Sequence, residues 1–91
     1  MMKFNPIMKV RHVAGEDIAM RVGVGGTDMT TVIALNESAL LIYNKLQGRE
    51  FGIDDAVAVL REEYDIDEPT ARRDVENLVQ EMRQNEMIID A

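Results

Sequence analysis

The chain has 91 residues, a net charge of −7 and no cysteine, which suits one domain over residues 1–91 and excludes disulfides, thiolate nucleophiles and Cys-based zinc or iron–sulfur sites. Charge is unevenly placed: residues 1–52 hold six Lys/Arg against five Asp/Glu, and residues 53–91 hold four against twelve, so the second half repels phosphate backbones and a protein partner fits better than nucleic acid. The basic N-terminal stretch lacks an apolar signal-type region, and no run approaches the roughly 20 residues needed to span a bilayer, so the expectation is a cytoplasmic protein without membrane contact.

The first third alternates in polarity and is punctuated by glycine, which predicts strands over Met8–Ala14, Ile18–Val24 and Met29–Leu35, joined near Gly15-Glu16 and Gly25-Gly26-Thr27-Asp28. Joints this short allow hairpins, whereas parallel pairing needs crossovers of about a dozen residues, so a three-stranded antiparallel meander is expected. After Leu35 the period becomes helical. Asn36 is a suitable N-cap, with Ala39, Ile42, Tyr43 and Leu46 inward and Gly48 as a stop. A second helix starts at Gly52 with Asp54 and Asp55 in its first turn, and Ile53, Ala56, Val57, Leu60 and Tyr64 inward. Asp67 caps a third helix, with Pro69 in its first turn and Ala71, Val75, Leu78 and Met82 as its apolar stripe. Met87-Ile88-Ile89 closes the chain as an extended tail. With the short Asp65-Ile66-Asp67 turn between the last two helices, the expected fold is α+β: a winged helix-turn-helix in which the meander precedes three helices.

Several sequences within this pattern, taken together, resemble the pyrroloquinoline quinone biosynthesis protein D (PqqD-like) family. They are Leu35-Asn36-Glu37-Ser38-Ala39, Leu46-Gln47-Gly48, Glu62-Glu63-Tyr64-Asp65-Ile66-Asp67 and Asp74-Val75 with Leu78. The likeness spans about residues 29–90. Gln47 stands where the family often has Asp, and Gly52 where it has a Ser/Thr cap. The resemblance implies a precursor-peptide recognition element of ribosomally made, modified peptide pathways. Such an element is not an enzyme and needs no cofactor; it binds a leader peptide and presents it to a modifying enzyme, often of radical S-adenosylmethionine type. It further implies that the leader adds as a strand beside the third strand, in a groove shared with the third helix, here Met29–Leu35 and Arg72–Arg83.

Physical reasoning on the edges points to the same strand. The first strand is guarded by Pro6, Lys9, Arg11 and His12, whereas Met29–Leu35 has neither charge nor proline. Thr30, Thr31, Val32, Ile33 and Ala34 are therefore the expected docking edge for an extended partner, and the same edge could pair with a second copy to give a homodimer. At 100° per residue, Arg72, Glu76, Val79 and Arg83 share one flank of the third helix's stripe, a mixed cationic and apolar wall that suits an acidic, hydrophobic leader. The competing reading makes the arginines a solvated face with intrahelical pairs.

Other chemistries are poorly supported. Val22-Gly23-Val24-Gly25-Gly26-Thr27 lacks the lysine and following helix of a phosphate loop. His12 and Ser38 are the sole residues of their kinds, without a nucleophile elbow. Asp65, Asp67 and Glu76 match three positions of a calcium loop whose remaining positions fail, so no metal is expected. A small winged-helix DNA-binding regulator is the alternative class, disfavoured because Glu68–Glu86 carries three Arg against five acids.

Overall fold

The computed structural model describes residues 1–22 and 30–91. In chain order its elements are β1 (Met2–Phe4), β2 (Lys9–Val13), β3 (Glu16–Val22), β4 (Thr30–Leu35), α1 (Glu37–Leu46), α2 (Ile53–Glu63), α3 (Glu68–Gln84) and β5 (Ile88–Asp90). The expected meander is the antiparallel sheet β2-β3-β4, and the three helices follow it. The predicted joint at Gly25–Asp28, the glycine-rich run as far as Thr27, and the strand ends Gly23-Val24 and Met29 lie outside the described residues.

The β2–β3 turn falls one residue earlier than expected. Val13 pairs with Glu16, which leaves Ala14 and Gly15 as a two-residue loop. Both have positive φ, 52° and 82°, the combination that matches the twist of a tight hairpin. Glycine adopts it freely; Ala14 does so against a steric cost.

Each helix begins as its sequence implies. Asn36 Oδ1 accepts from the Ala39 N–H at 2.8 Å, and Asp67 Oδ1 accepts from the Thr70 N–H at 3.0 Å. Gly52 has no side chain to offer α2; instead Asp55 Oδ2 reaches back to accept from the Gly52 N–H at 2.8 Å. α3 ends where Glu86 turns left-handed, φ 56°, so that the Met87 N–H bonds back to the Met82 carbonyl at 2.8 Å.

The predicted tail is β5, and it has a partner that the sequence did not reveal. β1 pairs antiparallel with it, Met2 opposite Asp90 and Phe4 opposite Ile88. Met2 also exchanges two backbone hydrogen bonds with Phe51 in the α1–α2 connection, at 2.9 and 2.8 Å. Asn5 Nδ2 donates to the Glu86 carbonyl at 2.9 Å. These bonds clamp both ends of the chain over the helices. Beneath them Phe4 packs edge-on to Tyr43 with ring centres 5.1 Å apart, and against Phe51 at 5.2 Å. Phe51, Ile42, Leu60, Val75, Met82 and Met87 form the fully buried centre. The helices supply most of the core, while the meander contributes chiefly Ala19 and Leu35. One face of that sheet thus rests on the core and the other faces solvent, which leaves β4 at a margin of the molecule.

Candidate functional site

β4 is an edge strand. Its residues pair with β3 from Thr30 opposite Val22 to Leu35 opposite Asp17, and among the described residues no strand lies along its other side. Its unpaired N–H and C=O groups form a ready template for another backbone. Along β4, Leu35 is buried, Thr31 and Ile33 are half-buried, and Val32 and Ala34 are exposed, the alternation of a strand with one face on a core. Val32 leaves 53% of its surface in solvent, and the register places it in line with Met20 and Lys9 on the outer face. The opposite edge, β2, carries Lys9, Arg11 and His12, and His12 Nδ1 lies 3.0 Å from Asp17 Oδ1.

Beside the end of β4 an open groove of about 590 Å³ runs between the start of α1 and one flank of α3. Its floor is apolar: Leu35, Ala39, Ile42 and Leu60. Its near wall is Ala34, Asn36 and Ser38, and its far wall is Asp74, Asn77, Leu78 and Glu81 of α3. An open edge, an apolar floor and a helical wall can hold an extended peptide by backbone hydrogen bonds while sorting its alternate side chains.

The wall differs from the expected one. None of Arg72, Glu76, Val79 and Arg83 lines this groove. The Arg72 guanidinium donates to Asp54 Oδ1 of α2 at 2.7 Å and to Glu68 one turn before it. Those two carboxylates, Asp54 first and then Glu68, raise its pKa. Arg83 donates to Asp90 Oδ1 of β5 at 2.9 Å. Val79 is buried in the core, and Glu76 is exposed one turn beyond Arg72. The four residues do share a flank, as the helical period dictates, but that flank faces α2 and β5. The groove flank lies on the other side of the helix, about 180° around the axis, as the step from Arg72 to Glu81 at 100° per residue shows.

The groove-lining residues that sequence reasoning did not single out are therefore Asp74, Asn77 and Glu81, with Leu78 assigned wholly to the core although it is only half-buried. A signal was present. Arg72 has Glu68 and Glu76 at four-residue spacing, whereas Asp74 and Glu81 have no Lys or Arg three or four residues away in either direction, the spacing at which helical side chains meet. Among the described residues neither carboxylate has an ion-pair partner.

The other chemistries weighed from sequence gain no geometry. His12 sits on β2, and Ser38 is in the first turn of α1 beside the groove. Asp67 uses its carboxylate as a helix cap, and among the described residues no group of three His, Asp or Glu could hold a metal ion. No described helix is long and apolar enough to cross a membrane.

The family model of coenzyme PQQ synthesis protein D (PqqD) matches residues 24–88. No curated protein matches the chain. Among solved structures, TbiB1 in complex with the TbiA(beta) leader peptide is similar, with a TM-score of 0.71 at 21% identity over 94% of this chain and 93% of that one. Lasso peptide synthetase B1 complexed with the leader peptide is similar as well, with a TM-score of 0.70 at 23% identity over 97% and 96% of the two chains.

Proposed function

Because this chain belongs to the PqqD family, we propose that it is a non-catalytic adaptor that binds the leader of a ribosomally made precursor peptide as an added strand on β4 and presents it to a modifying enzyme. The observation that carries this reading is the open edge of β4 alongside an apolar-floored groove. Two chains of the same fold are held in complexes with leader peptides, which supports the class of guest. Thr30, Thr31, Val32, Ile33 and Ala34 supply the docking backbone. Precursors of this kind are made on ribosomes, so the adaptor works in the cytoplasm. The resemblance makes an enzyme of radical S-adenosylmethionine type one candidate for the receiving partner. A DNA-binding role finds no support: two of the three α3 arginines, Arg72 and Arg83, are engaged by carboxylates, and the groove flank is acidic.

Strand addition has a direct test. Successive residues of an antiparallel strand direct their N–H groups to opposite edges, so of Thr31 and Val32 one donates to β3 and the other outward. Thr31→Pro and Val32→Pro should therefore behave differently. One variant loses a ladder bond and melts lower; the other keeps its melting temperature, because proline is tolerated at an edge, and loses binding to a leader peptide synthesised from a precursor reading frame sought in the neighbourhood of its gene. Isothermal titration and thermal circular dichroism read the two properties. If the stable variant binds that leader as the wild type does, docking on β4 is wrong.

A further inference from the structure

The groove flank of α3 bears on which peptides the edge accepts. In chain order it presents Asp74, Asn77, Leu78 and Glu81. Leu78 is half-buried and continuous with the apolar floor, and the two carboxylates on either side of it are exposed. On the opposite flank the charges are satisfied within the molecule, Arg72 by Asp54 and Glu68 and Arg83 by Asp90. Asp74 and Glu81 have no such partner among the described residues. Glu81 also stands in the C-terminal half of α3, where the helix dipole disfavours negative charge, so its own helix does not compensate it; Arg21 of β3, the cation held at this end of α3, donates to the Asn85 carbonyl at 3.0 Å and pairs with Glu86 at 3.7 Å. The site is made by the edge and the groove; the acids decide the charge of what fills it.

Resting on the strand-addition reading above, we propose that the guest segment is cationic on the face it turns to α3, with a Lys or Arg two residues before and two residues after an aliphatic residue seated against Leu78. The spacing follows from the two geometries. Along α3, Asp74 and Glu81 lie about 6 and 4.5 Å to either side of Leu78 at a rise of about 1.5 Å per residue. In an extended guest, side chains on one face recur every ~6.8 Å. The long, flexible Lys or Arg stem absorbs the difference and can lie along the apolar wall with its charge at the rim. An acidic leader would face two uncompensated carboxylates, and like charges repel at this range.

The test is selection of a random peptide display library on the purified chain, in parallel with the Asp74→Asn/Glu81→Gln double variant. Both substitutions are near-isosteric and exposed, and circular dichroism checks the fold. The expected result is enrichment of cation-x-aliphatic-x-cation peptides by the wild type alone. A recovered peptide made synthetically should bind the double variant about tenfold more weakly, as two exposed ion pairs allow, and the difference should shrink with salt. Asp74→Lys with Glu81→Lys should turn the preference to acidic peptides. Recovered peptides that bind wild type and double variant equally overturn the charge selection. If those peptides still fail to bind the stable β4 proline variant, strand addition stands without it; if they bind that variant too, both readings fall.

Discussion

The two flanks of α3 each set an aliphatic residue between two charged ones and end in opposite states. One holds Arg72 and Arg83, each tied to a carboxylate on a neighbouring element, with Val79 buried between them. The other holds Asp74 and Glu81, in no ion pair among the described residues, with Leu78 half-exposed between them over an open groove. A flank that neutralises itself against α2 and β5 serves the fold. A flank left charged beside an unpaired strand is, on the reading proposed above, the one that meets a guest. The lesson is that the helical period groups residues into flanks, while only the placement of neighbouring elements assigns a role to each flank.

The largest effect should come from removing what both flanks share. Met82 is fully buried on the stripe between them, and truncating such a side chain costs about 2–5 kcal/mol through lost burial and the cavity left behind. Against the ~5–15 kcal/mol that holds a typical domain, Met82→Ala should lower the urea midpoint markedly and weaken leader binding only in proportion to the unfolded fraction. A binding loss that persists when the chain is fully folded would show that the stripe also sets groove geometry.

This division explains what could be read from the residues. The helices were legible because their caps and stripes are local: Asn36, Asp67 and the Ala71–Val75–Met82 row act within a few residues of themselves. The meander was legible because short joints leave little choice of pairing. β1 was not, since the three residues Met2–Phe4 are too few to show alternation, and their partner, β5, lies at the other end of the chain. The groove wall was displaced for a similar reason. Choosing between Arg72/Arg83 and Asp74/Glu81 requires knowing on which side of α3 the α2 helix lies, a long-range fact that no helical period contains.

A smaller effect is expected where the phase of both flanks begins. Asp67 caps α3, and its carboxyl is held below the ordinary value of 3.8 by hydrogen bonds from the Thr70 side chain and then its backbone N–H, with Arg61 and Arg73 assisting. A carboxyl depressed in the folded state contributes stability above its unfolded pKa and loses it as pH falls through the lower folded value. Asp67→Ala should therefore be less stable than the wild type near neutral pH, and the gap should close below about pH 3–4. Urea titrations at the two pH values measure this. A gap that stays constant would mean that the cap acts through helix geometry without its charge.

The smallest effect should fall on the flank that sequence reasoning favoured. Arg72→Gln with Arg83→Gln removes guanidinium contacts to Asp54, Glu68 and Asp90, all of them partly solvated, so the melting temperature should drop slightly and less in high salt. Leader affinity should stay within about twofold of wild type, because neither side chain borders the groove and exposed charges are screened over about 10 Å. Calorimetric titration of the double variant makes the two flanks directly comparable with the Asp74→Asn/Glu81→Gln protein. Were the arginine variant to lose tenfold and the acidic one nothing, the guest would have to lie across the α2 and β5 side of α3. The open edge of β4 would then need a different occupant, a second copy of the chain being the first to examine by light scattering.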